Sequence, residues 1–129
     1  MAQVKIYGHA AHLAEYRETL SNAIHRAAVQ TLGLPDDKRF HRFFPLDEAN
    51  FVHPADRTSR YTILEIHLFT GRTPETLRAF LRALQSEVTL AAGLHPNDLE
   101  IVLLETPPSR WGIRGQLGDE LKLSYEVNK

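Results

Sequence analysis

The chain has 129 residues, which is the size of one domain with a single hydrophobic core. Its 15 basic and 16 acidic side chains nearly cancel, which excludes the strongly basic surface typical of nucleic-acid-binding proteins. Cysteine is absent, which excludes disulfides and thiol chemistry, and no apolar stretch approaches membrane-spanning length. We therefore expect a cytoplasmic protein with a single domain over residues 1–129 and neither nucleic acid nor membrane as partner.

The first half of the sequence predicts a strand, a helix and a second strand. Residues 4–7 alternate apolar and polar side chains, as in a strand with one buried face. Apolar side chains then recur every three or four residues over 13–34, which predicts an amphipathic helix that ends at Gly33. The aromatic segment KRFHRFF, residues 38–44, predicts a second strand that stops at Pro45.

The second half of the sequence predicts the same order of elements. Residues 61–69 alternate in the manner of a strand. Residues 73–94 follow a helical period, with Thr73 as the predicted N-cap. Residues 99–105 are almost wholly apolar and predict a fourth strand.

An internal duplication explains this recurrence. The segments LGLPDD and AGLHPND close the two helices and place Gly33 and Gly93 sixty positions apart. We assign the repeats to residues 2–45 and 61–106, followed by a C-terminal arm over 107–129. Each repeat is expected to be a right-handed β-α-β crossover with parallel strands. The predicted fold is therefore α+β, a four-stranded mixed sheet with both helices on one face.

The other face of this sheet has no helix to cover it. An exposed apolar sheet face favours association, so we predict an obligate oligomer. The segment ELKLSYEV, residues 120–127, alternates apolar and polar side chains and predicts a further strand in the C-terminal arm. Such a strand could complete the sheet of a neighbouring chain.

Cationic side chains are predicted to meet at one end of the sheet. If the first and third strands form its antiparallel centre, the N-terminus lies beside the end of the third strand, the start of the second and the end of the fourth. This end then collects Lys38, Arg39, Arg72, Trp111 and Arg114. Guanidinium groups bind carboxylates in a bidentate geometry, so the cluster favours a small carboxylate as ligand. The competing interpretation is that each cation is solvated or pairs with a nearby aspartate, namely Asp36, Asp37 or Asp119.

Other candidate sites carry weaker signals. The seven histidines include no pair at a metal-ligand spacing such as H-E-x-x-H, so we interpret them as surface or structural residues and expect neither metal nor cofactor. The connection over residues 45–60 is long, and we favour a subunit contact over a binding loop as its role. The glycines of GIRGQLG, residues 112–118, lack the strand-to-helix context of a phosphate site.

Several of these segments together resemble the tautomerase superfamily. The resemblance rests on the two β-α-β units, on a strand that opens at residue 2, and on the segments LPDDKRF, TGRTPE and NDLEIVLLETPPSRWGIRG. It covers nearly the whole chain and points to the fused branch that includes malonate semialdehyde decarboxylase. The resemblance implies a homotrimer whose base is an N-terminal proline, exposed when the initiator methionine is removed. It also implies arginines that bind a substrate carboxylate.

The sequence departs from the family at the catalytic position. Ala2 stands where the family has proline. The resemblance therefore implies that the amine of Ala2 is the base if Met1 is removed, and that the amine of Met1 takes its place if Met1 is retained. Lys38 occupies the position of an acidic residue in the decarboxylase-like branch, and Thr70 replaces one arginine of its Arg-x-Arg signature.

The remaining matches describe a binding pocket. Arg72 matches the second arginine of that signature, and Trp111 matches a tryptophan of the C-terminal hydrophobic wall, where Ile113 replaces an aromatic residue. The resemblance thus implies a pocket for a small 2-oxo acid, with the substrate-binding residues Arg72, Arg39, Lys38, Trp111, Ile113 and Arg114. Two functions stay open: a weak or non-standard keto–enol tautomerase (an isomerase), and a non-catalytic trimer that binds carboxylates or serves assembly.

Overall fold

The computed structural model of the chain describes residues 2–123, 126 and 127. Its helices and strands follow the predicted β-α-β-β-α-β order, which is confirmed, and a C-terminal hairpin follows them. They are β1 (Ala2–His9), α1 (Ala10–Leu32), β2 (His41–Leu46), β3 (Thr62–Phe69), α2 (Pro74–Ala92), β4 (Leu99–Thr106), β5 (Gly112–Ile113) and β6 (Gln116–Leu117).

Four strands form a mixed sheet in the order β2-β1-β3-β4. β1 is parallel to β2 and antiparallel to β3, while β3 is parallel to β4. Each parallel pair is connected through a helix, because parallel neighbours need a long crossover. The central strands are therefore β1 and β3, as the sequence analysis assumed, and β2 and β4 form the edges.

The second strand begins and ends later than predicted. It covers His41–Leu46, so Lys38 and Arg39 precede the strand and Pro45 lies inside it. The prediction that Pro45 stops the strand was wrong. Proline is tolerated here because β2 is an edge strand, so one side of its backbone has no strand partner in the sheet.

Both helices end at a glycine in the left-handed conformation. Gly33 has a φ of 68° and Gly93 a φ of 63°, and their N–H groups donate to the carbonyl oxygens of Val29 and Thr89. Residues with a Cβ atom adopt this conformation only at a cost, so the glycines explain where the helices end. α1 begins at Ala10, directly after β1 and earlier than predicted. Within the part of the chain described, neither helix is long and apolar enough to span a membrane.

The hydrophobic core lies between the two helices and one face of the sheet. The central strands contribute Val4, Ile6, Leu64 and Ile66, and the helices contribute Leu20, Ile24, Phe80 and Leu84. Full burial of one such side chain stabilises the fold by about 1.5–3 kcal/mol. The core thus holds both helices on one face, as predicted.

The opposite face of the sheet is less apolar than predicted. Lys5 and Glu65 lie opposite each other on β1 and β3, and their neighbours on this face are partly exposed. Apolar side chains on this face include the stacked rings of Tyr7 and Phe44, and on the edge strand β4 Val102 is 45% and Leu104 37% exposed. The uncovered face is therefore a mixed surface rather than a continuous apolar one.

The C-terminal arm begins with the hairpin of β5 and β6, which pair antiparallel. The predicted strand over 120–127 stays a prediction. Glu120 belongs to a short 3-10 turn, Gly118–Glu120, and residues 121–123 are in no strand of this chain. Ser124 and Tyr125 lie outside the described residues.

Candidate active site

Two strand starts, of β1 and β2, and two strand ends, of β3 and β4, meet where the site is predicted. Ala2, in the first pair of β1 with β3, lies opposite Leu68. On the other side of β3, Phe69 pairs with Thr106, the last residue of β4. The chain also enters β2 at this end, because β2 is parallel to β1. The segments that carry the predicted site residues therefore converge on one end of the sheet.

Ala2 contributes its side chain to the core at this end. It is 8% exposed and belongs to the cluster of buried side chains under the helices. Met1 lies outside the described residues. The role of either amine therefore stays a prediction.

Arg72 is the buried cation of the predicted cluster. It follows the end of β3 and is 6% exposed. Gly71, with a φ of 132°, makes the turn that leads the chain from β3 to α2. The Thr73 side chain then accepts a hydrogen bond from the Thr76 N–H at 3.2 Å and caps the helix. Arg72 is thus held between a strand end and a capped helix start.

Lys38 and Arg39 are exposed, and Arg39 contacts α1. Its Nη1 donates to Asn22 Oδ1 at 2.7 Å and to Ser21 Oγ at 3.2 Å. A bound carboxylate would have to compete with these two acceptors for the guanidinium group. Lys38 closes the turn before β2, where its N–H donates to the Pro35 carbonyl oxygen at 3.0 Å.

His41 has a shifted pKa and was not among the predicted site residues. Its pKa is lowered to about 4, first by burial and then by the charges of Arg39 and His25. The imidazole is therefore neutral at pH 7, and its Nδ1 lies 2.7 Å from Ser21 Oγ. The only signal in the sequence for this lowered pKa is that His41 lies two positions after Arg39.

The C-terminal arm packs on the end of β3 through Trp111. The Trp111 and Phe69 rings are edge to face, with their centroids 5.0 Å apart. Trp111 Nε1 also donates to the Thr106 carbonyl oxygen at 3.3 Å. Ile113 is half-buried in β5, and Arg114 is exposed at the turn of the hairpin.

A cavity of about 630 Å³ lies between the end of β3 and the C-terminal arm. Phe69 and Thr70 line it on the sheet side, while Leu121, Leu123 and Glu126 line it on the arm side. Thr70 stands where the decarboxylase-like branch has an arginine. The cavity wall therefore carries a hydroxyl group at a position where the resemblance implies a guanidinium group. The arm residues were missed as site candidates, although their apolar alternation was the available signal.

A larger cavity, about 940 Å³, lies at the opposite end of the sheet, where β1 ends and α1 begins. Its walls include His9, His12 and His53. Much of the wall comes from the connection over residues 45–60, for which the sequence analysis favoured a subunit contact. In the described residues, no three histidine or carboxylate side chains are grouped so that they could hold a metal ion.

Comparison with known proteins identifies the family. The family model Tautomerase_2, described as tautomerase enzyme, matches residues 38–114. This match covers more than half of the chain, so the protein belongs to this tautomerase family. The resemblance inferred from the sequence is confirmed.

Individual relatives agree with this assignment. Probable tautomerase YusQ of Bacillus subtilis (strain 168) is 22% identical over 116 residues, which cover 86% of this chain and 91% of the relative. The structure is similar to FG41 malonate semialdehyde decarboxylase inhibited by 3-bromopropiolate, with a TM-score of 0.70, 25% identity, and coverage of 84% of this chain and 86% of that one. It is also similar to the R7 fused 4-OT wild-type asymmetric trimer, with a TM-score of 0.81, 18% identity, and coverage of 92% and 97%.

Proposed function

We propose that this protein is a keto–enol tautomerase of weak activity that acts on a small 2-oxo acid at the end of the sheet where β1 begins. The observation that carries the proposal is Arg72, a guanidinium side chain only 6% exposed, a few residues from the pair of Ala2 and Leu68. A cation buried near a strand start suits a ligand with one carboxylate. Membership of a tautomerase family supports the reaction class.

In this proposal, Arg72 binds the substrate carboxylate through paired N–H···O hydrogen bonds. Trp111 and Ile113 form the apolar wall, while Arg39, Lys38 and Arg114 add positive charge. The N-terminal amine removes the proton of the enol hydroxyl group as the carbonyl forms. The electron pair of the C=C bond then takes up that proton at carbon, so the amine is regenerated.

The identity of the amine explains why the activity should be weak. A primary α-amine has a pKa of about 8, and nearby cations lower it toward the range useful to a base at pH 7. The amine of Ala2 can thus act as a base, but it lacks the ring that fixes the direction of the secondary amine implied by the family resemblance, so we expect weaker catalysis. If Met1 is retained, the amine is one residue farther from the pocket.

The test is ketonisation of phenylenolpyruvate, followed by ultraviolet absorbance, with wild type and an Arg72→Gln variant. Loss of a charge-assisted pair with the carboxylate costs on the order of 1.5–3 kcal/mol, so we expect kcat/KM to fall at least tenfold. Arg82→Gln, at an exposed position of α2, is the matched control and should react like wild type. Equal rates for Arg72→Gln and wild type would contradict the assignment of Arg72.

Ala2→Pro tests the role of the amine separately. Proline at this position should raise the rate of ketonisation well above that of wild type, because it restores a secondary amine. Mass spectrometry must first establish that the proline is N-terminal. A correctly processed variant that gains no activity would favour the second candidate function.

That second candidate is a non-catalytic protein that binds carboxylates or serves assembly. Ala2 and Thr70, each at a position where the family resemblance implies another residue, favour it. It predicts that wild type binds pyruvate, that Arg72→Gln binds it more weakly, and that neither accelerates ketonisation.

We also propose that the protein is a homotrimer. The structural neighbours that are fused 4-OT trimers support this proposal, together with the sheet face that no helix covers.

A further inference from the structure

The two halves of the structure correspond at a shift of sixty residues at most element ends, although α1 begins at Ala10 and α2 only at Pro74. β1 spans Ala2–His9 and β3 spans Thr62–Phe69, so both ends of the strands agree. The 3-10 turn Glu48–Asn50 after β2 corresponds in the same way to Pro108–Arg110 after β4. The shift therefore relates each residue of the Arg72 end to a residue at the opposite end of the sheet.

Applied to the predicted site, the shift points to the larger cavity. Arg72 corresponds to His12, Trp111 to Phe51 and Ile113 to His53. All three counterparts line the cavity of about 940 Å³. The cavity is thus the counterpart of the predicted active site under the shift of sixty residues. The imidazole of His12 takes the sequence position that corresponds to the guanidinium group of Arg72.

The start of α1 gives this cavity a preference for negative charge. Ala10, Ala11 and His12 form the first turn of the helix and line the cavity. The N-cap residue His9 makes no side-chain hydrogen bond to this helix start, and the first turn of α1 has no acidic residue. The unpaired N–H groups of a helix start attract anions. By contrast, the start of α2 is capped by Thr73.

A second, independent observation is the burial of His12. This side chain is 6% exposed, and its Nε2 has no hydrogen-bond partner among the described residues. Burial lowers the pKa of His12, and the charge of Arg60 lowers it further, whereas Asp98 and Glu15 raise it. A buried polar atom without a partner costs free energy, which a ligand that accepts or donates a hydrogen bond would recover.

The other residues of the cavity wall indicate the shape and charge of a ligand that would fit. The rings of His9, Phe51 and His53 line the cavity and form a cluster with the ring of Tyr61, with neighbouring centroids 4.8–5.4 Å apart. The wall also carries two cations and three carboxylates: Arg57, Arg60, Glu15, Asp47 and Glu48. This wall charge of −1 disfavours a polyanion, so the attraction for a single negative charge comes from the N–H groups at the start of α1, and the rings favour an aromatic body.

We propose that this cavity is a second binding site, which takes a small aromatic monocarboxylate between the start of α1, His12 and the ring of Phe51. The carboxylate accepts hydrogen bonds from the first turn of the helix, and the aromatic body packs against the ring cluster. The site is separate from the Arg72 end and does not depend on the function proposed there.

The test is calorimetric titration with benzoate in the Arg72→Gln background, which weakens binding at the other end. We expect one benzoate per chain. Ser59→Glu places a carboxylate at an exposed position of the cavity wall and should weaken binding at least tenfold. Ser86→Glu, at an exposed position of α2 away from the cavity, is the matched control and should bind like the background. His12→Gln should also weaken binding.

Several results would overturn the proposal. They are an absence of benzoate binding in the Arg72→Gln protein, unchanged binding in both Ser59→Glu and His12→Gln, and tighter binding of inorganic phosphate or Zn²⁺ than of benzoate. If Arg72→Gln does not fold, the proposal is tested instead by nuclear magnetic resonance of the histidine imidazoles of wild type during titration with benzoate. Benzoate should then shift the signals of His12 and leave those of His95 unchanged, and unmoved His12 signals would overturn the proposal.

Discussion

At the scale of single residues, Ser21 connects α1 to the positive charge beside the candidate active site. Its Oγ accepts a hydrogen bond from Arg39, so its own hydrogen is available to Nδ1 of His41. This arrangement requires a neutral imidazole, in agreement with a pKa of about 4. Protonation of His41 would break the hydrogen bond and place a second cation beside Arg39.

The stability of the protein should therefore fall in mild acid. In the unfolded chain His41 has a pKa near 6.5, so the unfolded state binds more protons than the folded state between about pH 6.5 and pH 4. The stabilisation is complete above this window and is lost as the pH falls through it. Urea denaturation at pH 7 and pH 4.5 should show that wild type loses about 2 kcal/mol more than His41→Gln, after allowance for partial solvent screening. Equal losses would contradict the assignment.

Arg114 combines a strained backbone with a proposed role in binding. It has a φ of 51° and forms the two-residue turn between β5 and β6 together with Gly115. Asparagine is preferred at the first position of such a turn, and a left-handed φ costs other residues about 1 kcal/mol. Arg114→Asn should therefore leave the free energy of unfolding unchanged or raise it by up to about 1 kcal/mol, while it weakens pyruvate binding.

Urea denaturation and calorimetric titration measure these two effects of Arg114→Asn independently. Unchanged pyruvate binding would remove Arg114 from the proposed pocket. A less stable variant would contradict the argument from backbone strain.

At the scale of elements, Gly118 allows the C-terminal arm to pack closely on the segment after β4. Its N–H donates to the Trp111 carbonyl oxygen at 2.7 Å, and a Cβ atom on it would lie 2.3 Å from the Pro108 carbonyl oxygen. Gly118→Ala must therefore move the arm away, at a cost of about 1–3 kcal/mol in the free energy of unfolding. Because Trp111 is the single tryptophan, its fluorescence reports the displacement.

Gly112→Ala is the matched control for this prediction. A Cβ atom at Gly112 would have, among the described residues beyond its two chain neighbours, no heavy atom within 4 Å, so this variant should keep the fluorescence and most of the stability of wild type. If Gly118→Ala gave the same spectrum and stability as Gly112→Ala, the packing of the arm would not depend on the close approach at Gly118.

At the scale of the whole molecule, the uncovered sheet face and the C-terminal arm are the surfaces on which the proposed trimer depends. Val102 and Leu104 expose apolar area on that face, and burial of apolar area drives association. Sedimentation velocity at micromolar concentration should show a trimer. Removal of residues 119–129 should weaken the trimer or abolish it.

Two outcomes would contradict these expectations at the molecular scale. A compact monomer would exclude the trimer at that concentration. An unchanged trimer after removal of residues 119–129 would show that the arm is not an intersubunit element, and would leave the sheet face as the surface to examine.

The sequence by itself determined the order of the elements and the positions at which both helices terminate. Side-chain periodicity is a local property of strands and helices, so alternation and helical spacing were sufficient to predict β1, α1, β3, α2 and β4. The left-handed glycines Gly33 and Gly93 act within one turn of their helices, so their effect is also local. The assumed strand order, with the first and third strands at the centre, added the end of the sheet at which the predicted site residues meet.

Only the tertiary structure decided which partners those residues have. Pro45 lies inside a strand because β2 is at the edge, Arg39 contacts α1, and Lys5 faces Glu65 on a face predicted to be apolar. The cavity beside His12 likewise joins the start of α1 to the connection over residues 45–60. Each of these features depends on contacts between segments far apart in the chain, which periodicity and local backbone sterics do not encode.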